Sequence, residues 1–202
     1  MPHYRDEAVV IRTHQLGEVD RIVTLLTKTH GQVRAVAKGV RKTSSRIGAR
    51  LEPFMVVDVQ IYEGRNLDTV SQVEQLANYG AVIVDDYARY TAASAVVEAA
   101  ERLTREDSSS KHYLLVLGAL RALSAKEQAS DQILDSYLLR ALAISGWIAN
   151  LTSCQGCGSD QTVLFSVHSG SVSCANCALP GSVRLGVEGI AHVGSLLAGD
   201  WQ

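Results

Sequence analysis

Four cysteines are the residues best placed to do chemistry. They fall in two pairs, Cys154-Gln155-Gly156-Cys157 and Cys174-Ala175-Asn176-Cys177, with 16 residues between the pairs. A C-x2-C turn can aim both sulfurs at one point, and two such turns supply the four soft donors of a tetrahedral Zn2+ site. The intervening Thr162-Val163-Leu164-Phe165-Ser166-Val167, Ser169-Gly170 and Ser171-Val172-Ser173 read as a hairpin that brings the pairs together. No cysteine lies outside the motif. The alternatives are unrelated buried thiols or a redox pair, and a redox C-x-x-C wants a thioredoxin-like βαβ setting, which is absent. His168 sits in the hairpin turn and reads as a surface histidine, because four sulfurs already complete the site. A closed site of this kind is structural and leaves no open coordination position for catalysis.

The second feature is a charge asymmetry. No Asp or Glu occurs from Arg21 to Leu51, while the same window holds Arg21, Lys28, Arg34, Lys38, Arg41, Lys42, Arg46 and Arg50, 8 of the 19 basic residues. The formal net charge of −2 conceals this. A one-sign segment attracts polyanions, nucleic acid above all. The alternative is a solvated face, but such faces usually mix signs. Arg34, Lys38, Arg41, Lys42, Arg46 and Arg50 are the candidate nucleic-acid contacts. Gly39 to Arg46 reads as a flexible basic loop.

The elements that must position these residues differ by region. Residues 1–80 alternate as strands do. In Met55 to Tyr62, Met55, Val57, Val59 and Ile61 face one way and Asp58, Gln60 and Tyr62 the other. Glu7 to Thr13, Val19 to Thr27, Val33 to Val40 and Leu67 to Glu74 supply four more strands. Turn residues stand at Gly17-Glu18, His30-Gly31 and Glu63 to Asn66. Five short strands at this spacing predict a small closed barrel of the OB type. In the third strand Val33, Ala35, Ala37 and Gly39 share an inner face, and their small size suits a tight barrel wall. Arg34 and Lys38 then project outward about 13 Å apart, close to two nucleotide steps. Aromatics are only 5% of the chain, so stacking on bases is limited, with Tyr62 a candidate platform.

Residues 81–150 change to helical period. Asp85 or Asp86 caps a helix carrying Tyr87, Tyr90, Ala93, Val97, Ala100 and Leu103 on one stripe. Lys111 to Ser124 gives a second, with Leu114, Leu117 and Leu120 apolar. Ser130 or Asp131 caps a third through Ile133, Leu134, Tyr137, Leu138, Ala141 and Leu142, ended by Gly146. The Asp85-Asp86 pair reads as a helix start rather than a catalytic dyad. The expected organisation is therefore a multi-module α+β chain: a barrel over 1–80, a helical domain over 81–150, and a zinc module with the start of a C-terminal segment over 151–202.

Several classes are disfavoured. There is no apolar run of about 18 residues to span a bilayer, no signal-peptide core, no phosphate-binding G-x-x-x-x-G-K-[ST] loop, and no G-x-S-x-G or H-E-x-x-H. The reading is a cytoplasmic, nucleoid-associated binding protein rather than an enzyme.

The run Gly17-Glu18-Val19-Asp20-Arg21-Ile22-Val23-Thr24-Leu25-Leu26-Thr27, then Gly31 to Lys42, Ser45-Arg46, Leu51-Glu52-Pro53-Phe54 and Asp68-Thr69-Val70, resembles the barrel signature of the RecO family of bacterial recombination mediators and DNA repair proteins. In detail it is similar to the actinobacterial branch, and the cysteine quartet agrees. The resemblance implies a non-catalytic protein of the RecF pathway. Such a protein binds single- and double-stranded DNA, anneals complementary strands, and works with RecR to load RecA on DNA coated by single-stranded DNA-binding protein. Family members usually continue with more helix past the zinc module, whereas this sequence stops at Gln202, so the resemblance assigns no C-terminal DNA- or partner-binding surface here. Two other classes remain open from the residues: an RNA-binding or translation-associated protein with an OB barrel and zinc ribbon, and a redox enzyme using the C-x-x-C pairs.

Overall fold

Alternation in the first 80 residues produces strands, and the strands close. In the computed structural model, which describes residues 3–45, 47–105 and 110–200, β1 (His3–Leu16), β2 (Asp20–Thr27), β3 (Gln32–Ala37), β4 (Met55–Tyr62) and β5 (Asp68–Asn78) form a closed barrel in the order β1-β2-β3-β5-β4. All neighbours are antiparallel except β3 and β5, which are parallel where Ala35 and Val36 meet Asp68 and Thr69. The inward face is Ala8, Val10, Val23, Leu25, Val33, Ala35, Ala37, Val57, Val59, Ile61, Val70 and Val73. Burial of each larger aliphatic side chain contributes about 1.5–3 kcal/mol. Ala35 and Ala37 are fully buried, as the small inner face of the third strand predicts.

β1 carries an irregularity that decides what reaches the surface. Val10 pairs with Leu25, but Arg12 pairs with Thr24, so Ile11 is an extra residue. Ala8 and Val10 point inward, and strict alternation would send Arg12 inward after them. The bulge reverses the phase beyond Ile11, and Arg12 and His14 face out.

The third strand is shorter than alternation suggests. It ends at Ala37, and residues 38–40 turn. The basic segment that follows is anchored rather than loose. The Gly39 N–H donates to Asp20 Oδ1 at 2.7 Å, the Arg41 N–H to Val19 O at 2.9 Å, and the Ser45 N–H to Lys42 O at 2.9 Å. Gly48 backs onto the same segment: a Cβ there would lie 2.2 Å from Val40 O, so only glycine fits. A 3-10 turn over Gly48–Leu51 follows.

Helices α1 (Gly80–Ile83), α2 (Tyr87–Leu103), α3 (Ser110–Ala125) and α4 (Ser130–Ile144) come next. Asp86 caps α2 by accepting from the Arg89 N–H at 3.1 Å. The buried face of α2 is Ala92, Ala93, Val96, Val97 and Ala100. Tyr87 and Tyr90, expected on the apolar stripe, are exposed. Small residues let α2 approach β1 closely, and the tyrosines fall beyond that contact. In α3 the buried residues are His112, Tyr113, Leu115, Val116, Ala119, Leu120 and Leu123, and Leu114 is exposed instead. Both α2 and α3 pack on the outside of the barrel, α2 on β1 and α3 on β1 and β2.

The chain divides into two compact units, Met1–Tyr137 and Leu138–Gln202, with the boundary inside α4. In the second unit, β6 (Leu164–Ser166), β7 (Ser171–Ser173) and β8 (Val183–Arg184) form a sheet in the order β7-β6-β8, followed by α5 (Gly186–Ala198). The β6–β7 hairpin matches the expected one; β8 and α5 were not foreseen. Among the described residues no helix is long and apolar enough to cross a membrane.

Candidate metal centre and nucleic-acid interface

The hairpin brings the two cysteine pairs to one place. The four Sγ atoms lie within 4.8 Å of one another, and Cys157 and Cys174 are 3.8 Å apart sulfur to sulfur. Four ligands at the usual Zn–S distance of about 2.3 Å, placed tetrahedrally, stand about 3.8 Å apart. A disulfide needs about 2.05 Å, and all four thiols are free. The donor set therefore fits a tetrahedral metal ion.

Local backbone builds the turns. The Cys154 N–H donates to Ser159 O at 2.7 Å and the Gly158 N–H to Cys154 O at 2.8 Å, closing the first turn. The Cys177 N–H reaches Cys174 O at 3.2 Å in the second. A Cβ on Gly156 would come 3.0 Å from both Cβ and Sγ of Cys177, so the first turn needs glycine to admit the opposite sulfur. The backbone amides of Cys174 and Cys157 stabilise the Cys154 thiolate and hold its pKa down to about 6, whereas the crowding sulfurs of Cys174, Cys157 and Cys154 push Cys177 up to about 12. Crowded thiols resist losing a further proton without a cation between them.

The candidate nucleic-acid contacts divide into free and engaged groups. Arg34 lies on the outer face of β3, opposite Thr24, and is exposed, as are Lys38 and Lys42. Arg34, Lys38 and Lys42 have no carboxylate within 4 Å among the described residues. Arg5, Arg12, Arg21 and Lys28, by contrast, are paired with Asp58 and Glu74, Glu101, Glu52 and Glu7 respectively. Arg41 donates through Nη1 to Glu18 O at 2.9 Å. Arg50 donates through Nη1 to Val73 O at 2.8 Å and shares a hollow with Asp58 and Glu74. Arg46 lies outside the described residues. Tyr62 is 40% exposed, with its ring centroid 5.6 Å from that of His3.

Comparison with known proteins then decides the family. The family model for Recombination protein O N terminal matches residues 1–79, and that for Recombination protein O C terminal matches residues 84–202. The chain belongs to the RecO family. It is 50% identical over 204 residues to the DNA repair protein RecO of Nocardioides sp. (strain ATCC BAA-499 / JS614), covering 98% of this chain and 84% of that protein. The RecO of Bifidobacterium longum subsp. infantis is 48% identical over 203 residues, covering 100% of this chain and 85% of the relative. That of Streptomyces avermitilis is 46% identical over 211 residues with the same coverage. These actinobacterial RecO proteins agree with the resemblance carried by the 17–70 region. A role in DNA repair follows from the family, and the cysteine cluster fits zinc.

Proposed function

We propose that this chain is a non-catalytic DNA-binding protein of recombinational repair. In this reading it binds single- and double-stranded DNA, anneals complementary strands, and with RecR helps load RecA on strands coated by single-stranded DNA-binding protein. Residues 1–80 form the DNA-binding module, 81–150 the helical domain, and 151–202 the zinc module of a cytoplasmic, nucleoid-associated protein.

The observation that carries the reading is the contrast among barrel cations. Arg5, Arg12, Arg21 and Lys28 are neutralised in place, while Arg34, Lys38 and Lys42 stand exposed and unpaired among the described residues. An unpaired row of this kind binds phosphates without reading bases. Arg41, Arg46 and Arg50 complete the proposed contacts. Arg41 and Arg50 each keep guanidinium donors besides the one bonded to a carbonyl. Zn2+ held by Cys154, Cys157, Cys174 and Cys177 would cross-link the second unit and supply folding energy rather than catalysis.

Annealing requires two polyanions to approach, and their repulsion is the barrier. Neutralising one strand along the barrel lowers it, and few aromatics leave the base edges free to pair. The test is annealing of complementary oligonucleotides without any nucleotide, with RNA of equal length as competitor. Faster annealing and preference for DNA support the reading. Preference for RNA would favour an RNA-binding role, and annealing at the uncatalysed rate would refute the mechanism.

A further inference from the structure

α2 packs on the outer face of β1, and beside the end of this helix a cleft of about 450 Å³ opens over the outer faces of β1, β2 and β3. It is lined by His14, Thr24, Gln32, Arg34, Glu101 and Arg105. The barrel register explains why these residues meet. Arg12 pairs with Thr24, and Thr24 with Arg34, so the three form a row across the sheet. His14 is two residues along from Arg12 on the same face, about 7 Å away. Both reach that face only because of the bulge at Ile11. Arg105 comes from the other wall, just past the end of α2.

The chemistry of the lining favours an anion. Arg34 and Arg105 have no carboxylate within 4 Å among the described residues. Among the described residues the one acid lining the cleft is Glu101, and it is already bound by Arg12 at 2.7 Å. Gln32 adds a polar group: its Oε1 is buried without a hydrogen-bond partner among the described residues. A half-turn of the carboxamide puts its NH2 at the same place, a donor for an acceptor-only ligand. The cationic row also leaves the cleft. It runs from Arg34 on β3 to Lys38, the first residue of the turn after the strand, and on to Lys42. A small free anion needs no such track, whereas a polynucleotide does.

We propose that this cleft is a phosphate subsite, in which Arg34, Arg105, His14 and the Gln32 carboxamide hold one backbone phosphodiester of a strand that continues along β3 toward Lys42. The inference rests on the DNA-binding reading and adds a wall of the site supplied by α2. Glu101 acts against binding here, as a carboxylate lining the cleft, and Arg12 restrains it.

The test uses the full chain and a labelled oligothymidylate, with binding followed by fluorescence anisotropy across a salt series. Arg105→Ala should weaken binding several-fold and flatten the log–log salt slope by about 0.7, the loss of one phosphate contact. Glu101→Gln should tighten binding, a gain that a folding defect cannot mimic. Wild-type affinity and slope in both variants would overturn the subsite while leaving DNA binding elsewhere intact. Variants that change competition by inorganic phosphate but not oligonucleotide binding would make the cleft a small-anion pocket and also overturn it. A wild-type chain that binds no oligonucleotide would overturn the DNA-binding reading beneath it as well.

Discussion

Arg41 reaches back from the basic segment to the β1–β2 hairpin, where its Nη1 donates to the Glu18 carbonyl at 2.9 Å. Its own N–H donates to the neighbouring Val19 carbonyl. This residue is therefore a fastener as well as a charge. Lys42, one position on, is exposed and has no carboxylate within 4 Å among the described residues.

The two residues should separate in a simple comparison. Arg41→Ala should raise hydrogen exchange and protease cleavage over residues 38–45 in addition to weakening DNA binding. Lys42→Ala should weaken binding to a similar extent and leave exchange at wild-type levels. Equal exchange in both variants would show that the guanidinium does not hold the segment.

The metal centre predicts a local loss. Freshly purified protein should contain one equivalent of zinc, and Cys174→Ser should lose it. Because the binding energy of a structural zinc is also folding energy, the second unit should become protease-sensitive while the barrel remains folded. Gly156→Ala should lower zinc affinity, since its Cβ meets Cys177 at 3.0 Å. Metal analysis of unchelated protein that finds no zinc would end this account.

Asp6 links stability to pH. Its side chain is almost fully buried, which by itself opposes ionisation. The Thr29 hydroxyl at 2.7 Å, His30 Nδ1 at 2.7 Å and the backbone N–H of Thr29 outweigh that, and the carboxyl is held below its ordinary value. A depressed folded-state pKa stabilises above the unfolded value, near 3.9, and the contribution disappears as pH falls through the folded value. Asp6→Asn should therefore destabilise by about 1–3 kcal/mol at pH 5–7. The gap to wild type in urea unfolding should narrow below about pH 4. A gap that stays constant down to pH 2.5 would remove the carboxylate from the explanation.

The barrel wall sets a steric limit. Ala35 is fully buried between β2 and β5, so Ala35→Leu should cost about 1–3 kcal/mol or more by overpacking. Ala49→Leu, at an exposed position of the 3-10 turn, should cost far less. Equal midpoints in urea would mean the interior has spare room.

What could be read from residue order follows from how local each feature is. Strands β1 to β5, the closed barrel, the Asp86 cap and the β6–β7 hairpin rest on alternation, capping chemistry and turn residues, all within short windows. The cysteine spacing was enough to bring four sulfurs together. The bulge at Ile11 was not legible, because Val9, Val10 and Ile11 are all apolar and buried and no alternation marks the change of phase. Without it, His14 and Arg12 could not be placed beside Arg34. Arg105 was hidden for a different reason: it joins the cleft through the packing of α2 on β1, a contact between distant segments. The exposed Tyr87 and Tyr90 show the same limit. Helical period gave a stripe, but the small residues one step around the helix decided which face could approach the barrel.

The central claim is that exposed cations on and just beyond β3 bind a DNA strand through its phosphates. Its most direct test is the salt dependence of single-strand binding. About five phosphate contacts predict a log–log slope near −3.5, at roughly −0.7 per contact. Replacing Arg34, Lys38 and Lys42 together by Ser should bring the slope to about −1.4 and weaken binding equally on every sequence. An unchanged slope in that triple variant, or a loss confined to particular sequences, would contradict the account.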